Sequence, residues 1–303
     1  MEHSFKKISI IGLGLIGGSI GLAVNRYDKN IKRIGVARSE ETLEKAISRG
    51  LVDEATNKLN DAVDDTDLVI LATPLSSFKN IVEEILPFLK DNCIITDTGS
   101  TKSQVIDEIM QILPENIHFI PGHPIAGTEM SGPEAGFAEL FDNRWCILTP
   151  LKDSNQEILS QVKSFWENLG AMVEIMEAEH HDKVLAITSH IPHLIAYNIV
   201  GTANDLENVT KKEVVKYSAG GFRDFTRIAA SDPTMWRDIF IFNSDAVLEM
   251  LNFFSNDLDN LKTAIKNSDS NFLEDFFNKT RDVRRNIIEA GQDTKKADFG
   301  RDD

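Results

Sequence analysis

The first half of the chain alternates short apolar runs with stretches in which apolar residues recur every three or four positions. Continuous apolar runs are typical of strands covered on both faces by helices, and the intervening stretches have helical spacing. This pattern predicts an α/β domain of the Rossmann type, with a doubly wound, mostly parallel sheet. The predicted strands are residues 7–11, 33–37, 68–72, 93–97, 118–120, 145–148 and 172–175, and the predicted helices are residues 17–25, 40–49, 77–89 and 103–113.

The pattern changes after Met176, where helical spacing continues without a further convincing strand. We therefore expect a dinucleotide-binding domain over residues 1–177 and an all-α dimerisation domain over residues 178–303. Its phenylalanine-rich stretches look too apolar for one helical layer, so either a homodimer interface or an ordinary core must cover them. The predicted helices of this part are residues 179–204, 211–217, 236–256 and 271–290.

Composition and charge narrow the class of protein. The formal net charge of −16 argues against nucleic-acid binding, which needs a basic surface. An anionic substrate would therefore require cations gathered at its own site. The apolar runs are strand-sized, and the first leads straight into a glycine turn, so we expect neither a membrane partner nor a signal peptide. Cys93 and Cys146 are expected to be buried thiols, which fits a cytoplasmic protein.

The run GLGLIG at residues 12–17 follows the first predicted strand and opens the first predicted helix, the context that a dinucleotide-binding motif requires. Gly12 permits the tight turn, Gly14 lets the backbone approach a pyrophosphate, and Gly17 lets the helix pack closely on the strand. The helix N-terminus, where Leu15 and Ile16 lie, would present free N–H groups to the phosphates.

The end of the second strand bears on the choice of cofactor. NAD-specific folds usually have an acidic residue there, about 20 residues past the glycines, to hold the ribose. Here Ala37 stands in that region, followed by Arg38 and Ser39, which could hold a 2′-phosphate. This favours NADP over NAD, unless Arg38 is simply a solvated loop residue. Thr73 and Pro74, just after the strand 68–72, are also expected at the cofactor.

The richest candidate chemistry follows two strands, in DTGS at residues 97–100 and HPIAGTEMSG at residues 123–132. Hydride transfer from an alcohol needs a group that takes the hydroxyl proton, and histidine titrates nearest to neutral pH. His123 lies between a glycine and a proline in a predicted loop and has no evident packing role. Ser100 either orients His123 or the substrate hydroxyl, or caps the helix 103–113, or does both.

Four motifs in this order resemble the prephenate/arogenate dehydrogenase family of tyrosine biosynthesis, over nearly the whole chain. The four motifs are GLGLIGGS at residues 12–19, HPIAGTEMSG at 123–132, SHIPH at 189–193 and GGFRDFTRIAASDPTMW at 220–236. Any one of them alone would be unspecific.

The resemblance implies an NAD(P)-dependent oxidative decarboxylation of prephenate to 4-hydroxyphenylpyruvate, or of arogenate to tyrosine. Hydride leaves the ring carbon that bears the hydroxyl, the ring carboxylate leaves as carbon dioxide, and the ring becomes aromatic. By resemblance, His123 is the base, Ser100 orients the ring hydroxyl, His193 contacts the substrate side chain and Arg227 holds the ring carboxylate. The other residues that we expect at the substrate are Thr128, Glu129, His190, Gly220 and Trp236.

The residues themselves support some of these roles and leave alternatives to others. A guanidinium matches a carboxylate bidentately, and Arg227 lies in an otherwise apolar run where an unpaired charge would be costly. Its partner is then either the substrate or an internal acid, Asp224 or Asp232. Trp236 is either a pocket wall or a core residue, and His190 a supporting or core histidine.

His190 and His193 share a helix face, but no cysteine or carboxylate stands at a useful spacing, so no metal site is expected. His180 and His181 head the same helix among charged residues and are expected to be exposed.

Two rival functions remain open. Reductases of the 3-hydroxyacid or 6-phosphogluconate type also join a Rossmann domain to helices, and their acid/base is usually a helix-borne lysine, for which Lys183 is the candidate. A non-catalytic dinucleotide sensor would keep the fold, but it would need neither the base nor the arginine.

Overall fold

The computed structural model describes residues 5–128, 130–205 and 220–289. The chain divides into two compact units, Met1–Val247 and Leu248–Asp303. The predicted domain boundary near residue 177 stays a prediction, and the predicted helix 211–217 lies outside the described residues.

A six-stranded, all-parallel sheet forms the centre of the first unit, in the order β3-β2-β1-β4-β5-β6. This confirms the predicted Rossmann-type sheet, and the short edge strand β3 is the one member that the apolar pattern missed. The strands are β1 Lys7–Ile11, β2 Lys32–Val36, β3 Glu54–Thr56, β4 Leu68–Leu71, β5 Ile94–Asp97 and β6 His118–Ile120.

The two halves of the sheet, β3-β2-β1 and β4-β5-β6, meet at β1 and β4, which are hydrogen-bonded neighbours. Connections leave these two strands in opposite directions, so a crevice forms at their carboxyl ends, where such sheets bind ligands. The helices that follow the strands are α1 Leu15–Tyr27, α2 Glu40–Ser48, α3 Leu59–Val63, α4 Phe78–Ile85 and α5 Ser103–Met110.

A second, three-stranded sheet holds the residues after β6. It consists of β7 Gly122–Pro124, β8 Trp145–Leu148 and β9 Met172–Ile175, with β7 antiparallel to β8 and β9 parallel to it. Helix α6, Gln156–Asn168, joins β8 to β9. The sequence predicted β8 and β9 as strands but not their separate sheet. It also placed His123 in a loop, which was wrong, because His123 pairs with Ile147 within β7.

The helical part that follows β9 begins with one long run. Helix α7, Ala178–Leu185, passes through a π-helical turn, Ala186–His190, into α8, Ile191–Asp205. The wider turn comes directly before Pro192, which lacks the N–H that a regular helix would use. Among the described residues, Ala178–Asp205 has the length and apolarity of a membrane span, as core helices of soluble proteins also can. Here it contributes buried polar side chains to the protein interior.

The remaining helices complete the described chain. They are α9 Gly220–Thr226, α10 Pro233–Phe242, α11 Ser244–Lys266 and α12 Ser270–Glu289, with a 3₁₀ turn at Arg227–Ala230. The prediction of one helix over residues 236–256 was wrong, because the chain breaks at Asn243, whose ψ is 31°. At this break, the side chain of Asn243 donates hydrogen bonds to the carbonyl of Asp182 and to Nδ1 of His190.

Candidate active site

The glycine turn that follows β1 has the geometry expected of a phosphate-binding loop. Gly12 has a φ of 103°, and a Cβ there would lie 2.4 Å from the carbonyl oxygen of Ala72. A Cβ on Gly17 would lie 1.9 Å from the carbonyl oxygen of Gly12, so helix and strand approach each other too closely for a side chain. At Gly14 nothing lies within 4 Å of the corresponding position. The open side of this turn therefore faces a space that a ligand can enter.

The N-terminus of α1 suits an anion. Its first intrahelical hydrogen bond runs from the N–H of Gly18 to the carbonyl of Gly14 (2.9 Å). The preceding N–H groups, including those of Leu15 and Ile16, are those that a helix cannot satisfy internally. The N-cap, Gly14, has no side chain and the first turn has no acidic residue, so nothing in that turn opposes the positive end of the helix dipole. These residues fit the pyrophosphate of a dinucleotide.

Arg38 and Ser39 lie exposed at the end of β2, with no acidic residue between Val36 and Glu40. Ser39 has a structural role, because its hydroxyl caps α2 by accepting a hydrogen bond from the N–H of Thr42 (3.2 Å). Arg38 is therefore the side chain of this pair that remains for a 2′-phosphate.

Thr73 and Pro74 lie in the loop after β4, beside the glycine turn. A Cβ on Gly12 would lie 2.9 Å from Cγ2 of Thr73, so the two segments are in direct contact. The Thr73 hydroxyl shares a hydrogen bond with the hydroxyl of Ser77 (2.7 Å), which closes the loop. The loop thus lies where it can line a dinucleotide site.

His123 is buried and forms a hydrogen-bonded chain with two residues of α7. Its Nδ1 lies 2.8 Å from Nε2 of His181, and Nδ1 of His181 lies 2.8 Å from Oδ1 of Asp182. His181 is fully buried, so the expectation of an exposed His181 was wrong, whereas His180 is exposed as predicted. One face of α7 is buried, and His181 lies on that face next to β7.

The partners of Asp182 assign the protons along this chain. The carboxylate accepts hydrogen bonds from the backbone N–H groups of Lys102 and Ser103, both 2.8 Å, so it acts as an acceptor towards His181 as well. Nδ1 of His181 must then carry its proton, and Nε2 of the neutral ring accepts from Nδ1 of His123. Nε2 of His123 is left with a lone pair. The arrangement prepares His123 to accept a proton through Nε2.

Burial keeps both rings neutral. Desolvation lowers the pKa of His123 well below its ordinary value, and the charge of Lys102 and any proton on His181 or His190 act in the same direction. Burial also lowers the pKa of His181, which its hydrogen bond to Asp182 only partly offsets. For Asp182, burial opposes ionisation, but the hydrogen bonds from His181 and Ser103 outweigh it and leave the pKa below the usual range.

Asp182 also caps the N-terminus of α5. The N-cap position is Lys102, whose side chain makes no capping bond, and the carboxylate of Asp182 caps the helix from α7 instead. The alternative that Ser100 caps this helix is therefore wrong. Ser100 lies half-buried in the turn between β5 and α5, at the carboxyl edge of the sheet, where such folds bind their ligands.

A buried ion pair holds β7 against β5. Lys102 and Asp97 are both fully buried and bonded to each other, and Nζ of Lys102 also donates to the carbonyl of Gly122 (2.7 Å). Asp97 accepts from the N–H groups of Gly99 (2.9 Å) and Gly122 (3.1 Å). Because Gly122 precedes His123, this network fixes the strand that carries the candidate base.

His193, His190 and Trp236 form an aromatic cluster. The His193 ring stacks on Trp236 with centroids 3.7 Å apart, and its Nδ1 donates to the carbonyl of Ser189 (2.9 Å). Asn243 donates to Nδ1 of His190 (3.1 Å) and to the carbonyl of Asp182 (2.9 Å). The two histidines thus have separate partners. Burial lowers the pKa of His190 to about 4, and lowers that of His193 as well.

Nε2 of His190 and Nε1 of Trp236 are both buried and find no hydrogen-bond partner among the described residues. Since Nδ1 of His190 accepts from Asn243, its Nε2 carries the proton, and both atoms are donors. Both N–H groups are therefore available as donors.

The remaining predicted substrate residues lie at the surface or outside the described residues. Arg227 is exposed at the start of its 3₁₀ turn, so the argument from a costly buried charge was wrong. It is near enough to His193 to help lower the pKa of that ring. Gly220 begins α9, Thr128 is exposed with its hydroxyl accepting from the N–H of Met130 (3.2 Å), and Glu129 is not among the described residues.

Sequence reasoning missed Asp97, Lys102, His181, Asp182 and Asn243, which position the predicted residues. One signal was available. Helix α5 has Lys102 at its N-cap, a poor capping residue, so its amides had to find an acceptor elsewhere in the chain.

Two family models together match most of the chain. Residues 20–175 match a model described as prephenate dehydrogenase, nucleotide-binding domain. Residues 177–279 match one described as prephenate dehydrogenase, dimerization domain.

Individual proteins are similar over nearly their full length. A cyclohexadienyl dehydrogenase of Zymomonas mobilis is 41% identical over 280 residues, covering 92% of this chain and 95% of the relative. The crystal structure of prephenate dehydrogenase from A. aeolicus with hydroxyphenyl propionate and NAD+ has a TM-score of 0.88 at 35% identity, covering 95% of this chain and 100% of that chain. Synechocystis arogenate dehydrogenase has a TM-score of 0.77 at 30% identity, over 93% and 99% of the two chains.

Proposed function

This chain belongs to the prephenate dehydrogenase family, and we propose on that basis that it oxidatively decarboxylates prephenate or arogenate in tyrosine biosynthesis. The observation that carries the proposal is the chain from Asp182 through His181 to His123, which leaves Nε2 of His123 as a buried proton acceptor. A sensor that only bound a dinucleotide would have no use for such a group.

The residues have distinct tasks in this reaction. Nε2 of His123 accepts the hydrogen bond of the ring hydroxyl and stabilises the positive charge that develops on that oxygen as hydride leaves the same carbon. The bond to the ring carboxylate breaks, its electron pair enters the ring, and carbon dioxide is released. Ser100 holds the hydroxyl in the orientation that the transfer needs. The bound dinucleotide supplies the hydride acceptor.

The carboxylates of the substrate require local cations, because the chain has a net charge of −16. Arg227 is the candidate partner of the ring carboxylate, and His193 contacts the side chain. His193 stacks on the indole of Trp236, and Arg227 is near enough to His193 to help lower the pKa of that ring. We also assign His190 and Trp236 to the substrate's side chain, since their buried N–H groups have no partner among the described residues. The loop that bears Thr128 and Glu129, together with Gly220, would cover the bound ring.

For the cofactor we propose NADP, with NAD as the alternative. Arg38 is exposed at the end of β2, in a position where an acidic residue would repel a 2′-phosphate. Gly12, Gly14, Leu15, Ile16 and Gly17 would bind the pyrophosphate, with Thr73 and Pro74 lining the other side. The ratio of kcat/KM with NADP to that with NAD tests this, and a strong preference for NAD would contradict it.

We further propose that the protein acts as a cytoplasmic homodimer, with residues 1–177 binding the dinucleotide and residues 178–303 forming the substrate and dimerisation domain. The match of residues 177–279 to a dimerization-domain model supports this. So do the exposed apolar side chains of the second unit, which include Leu248, Phe253 and Phe277.

The experiment compares His123→Asn with Lys183→Ala, using prephenate and arogenate as substrates. Removing a general base lowers turnover by about 10²–10⁴-fold, so we expect that loss in His123→Asn and near-normal turnover in Lys183→Ala. Lys183 is exposed, whereas His181 and Asp182 before it are buried. Loss of turnover in the lysine variant alone would favour the 3-hydroxyacid class instead. Dinucleotide binding without turnover by the unmodified protein would favour a sensor.

A further inference from the structure

Asp238 is a buried carboxylate, 3% exposed, that takes no part in the chain ending at His123. Its Oδ2 accepts hydrogen bonds from the hydroxyl (2.6 Å) and the backbone N–H (3.3 Å) of Ser76. Its Oδ1 accepts from Nε (2.9 Å) and Nη2 (2.6 Å) of Arg237, whose side chain is largely exposed. Burial opposes its ionisation, but these bonds outweigh burial and keep its pKa below the usual range. Asp238 is therefore an ionised link between two segments 162 residues apart.

One of these segments belongs to the cofactor side. Ser76 lies in the 3₁₀ turn Leu75–Ser77, which continues the loop of Thr73 and Pro74. Ser77 hydrogen-bonds the Thr73 hydroxyl (2.7 Å) and, through its N–H, the carbonyl of Pro74 (3.0 Å), so this loop is one closed unit. Thr73 in turn touches Gly12. A displacement of Ser76 would therefore move the wall that faces the dinucleotide turn.

The other segment belongs to the substrate side. Asp238 follows Trp236 by two residues in α10, and Trp236 carries the stacked ring of His193. Trp236 is also buried in the same apolar cluster as Leu75, so the helix packs against the loop that Asp238 binds. Asp238 is the polar contact in this apolar junction.

Three of the N-termini at this edge of the sheet, those of α1, of α5 and of the turn before α4, differ in what covers them. Helix α5 receives the carboxylate of Asp182, and the turn that leads into α4 receives that of Asp238. Helix α1, among the described residues, has no carboxylate at its first turn. Carboxylates from the helical part thus cover two of the three positive ends and leave the third for phosphate.

We propose that Asp238 is a positioning residue, which sets the loop Thr73–Pro74 on the cofactor side against the Trp236–His193 stack on the substrate side. The proposal rests on the function given above. Hydride transfer requires donor and acceptor carbons about 3–3.5 Å apart, and a misplacement of about 1 Å can cost about 10²-fold in rate. A contact that fixes both walls therefore affects turnover without touching substrate.

The test compares Asp238→Asn with Ser76→Ala and with their double variant. The asparagine has nearly the same shape but no charge. One of its two polar atoms is an N–H₂ donor, which cannot accept a hydrogen bond from Ser76 or from Arg237. We expect kcat to fall by about 10–100-fold in Asp238→Asn, and the dinucleotide Kd, measured by titration without substrate, to rise several-fold. Ser76→Ala keeps the backbone N–H and has a smaller effect. The double variant should be no worse than Asp238→Asn, because both changes remove one contact.

Arg237→Ala is the matched control, since it removes the exposed partner of the same carboxylate. We expect its kcat and dinucleotide Kd to stay within about twofold of the unmodified protein, because the guanidinium is largely exposed and both Ser76 hydrogen bonds remain. A purely structural role would lower only the melting temperature. Unchanged kcat in Asp238→Asn, or an equal loss in Arg237→Ala, would overturn the proposal.

Failure of the proposed function has a different signature. If the unmodified protein oxidises neither prephenate nor arogenate, the reaction assigned above is wrong, but the dinucleotide titration still decides the role of Asp238. An unchanged Kd in both Asp238→Asn and Ser76→Ala would then reject it. Should Asp238→Asn fail to fold, Ser76→Ala alone provides the same comparison, because Ser76 lies in an exposed turn.

Discussion

At His123, burial and hydrogen bonding favour the same protonation state. Burial disfavours the imidazolium, and His181 accepts the Nδ1 proton only while it is itself neutral at Nε2. Asp182 holds His181 in that tautomer and is held in turn by two backbone amides of α5. The acceptor at Nε2 is therefore set by the hydrogen bonds of His181 and Asp182.

This state predicts the acid limb of the pH profile. Protonated His123 cannot accept from the ring hydroxyl, so kcat/KM should fall as pH decreases through the pKa of His123. That pKa lies below its ordinary value of 6.5, so the midpoint should lie below pH 6.5. Measuring kcat/KM across pH reports the free enzyme, and circular dichroism at each pH verifies that the chain stays folded. A midpoint at or above 6.5 would contradict the assignment.

Arg227 is exposed, which changes what its removal should do. Because its side chain is exposed, Arg227→Ala should fold normally. We expect its substrate KM to rise by about 10–100-fold, because hydrogen bonds to charged groups contribute about 1.5–3 kcal/mol. The dinucleotide Kd should stay the same.

Arg227→Lys provides the matched comparison. Lysine keeps the charge but loses the planar fork, so it should recover only part of the affinity. If Arg227→Ala leaves KM unchanged, the residue lies outside the site.

Among the elements, the glycine turn allows the effects of a substitution on stability and on cofactor binding to be measured separately. Gly14→Ala meets nothing within 4 Å, and its φ of −84° suits alanine, so the melting temperature should barely change. The added methyl group faces the space where a pyrophosphate would approach, so the dinucleotide Kd should rise by at least about tenfold.

Gly17→Ala is the contrasting variant. Its Cβ would lie 1.9 Å from a backbone oxygen, so it should lower the melting temperature as well as dinucleotide binding. Thermal melts and dinucleotide titrations of both variants test the pair. Equal melting temperatures, or unaltered binding in Gly14→Ala, would contradict this account of the turn.

The elements also show what a sequence can predict. The continuous apolar run at β4 and the glycine turn before α1 identified the sheet and the cofactor edge, because buried strands and tight turns restrict residue type locally. The pairing of β7 with β8 was not predictable, since Gly122–Pro124 is too short to show a strand pattern. The inward orientation of His181 also escaped, because contact with β7 decides which face of α7 is buried.

The site followed the same division. His123 and His193 belong to motifs with recognisable neighbours, so the sequence indicated them. Asp182 and Asp238 act on segments 79 and 162 residues away, and no local pattern announces such a contact. The charge argument for Arg227 failed because an apolar run predicts burial only when the fold covers it.

For the whole molecule, the exposed apolar side chains of the second unit predict self-association. Phe253 and Ile265 of α11 are more than half exposed, which is costly unless another surface covers them. Light scattering should give twice the mass of one chain, and Phe253→Asp should shift the population towards monomer. Ile47→Asp, at an exposed position of α2, serves as the control and should leave the dimer intact. A monomeric unmodified protein would contradict the homodimer.

The most direct test of the central claim is the reaction itself, followed in the unmodified protein with prephenate and arogenate, each with NADP and NAD. We expect reduced nicotinamide and carbon dioxide in equal amounts with at least one of the two acids, and faster reduction with NADP than with NAD. We also expect His123→Asn to bind the dinucleotide but to lose this turnover. Binding of the dinucleotide without reduction by either acid, or reduction without release of carbon dioxide, would contradict the central claim.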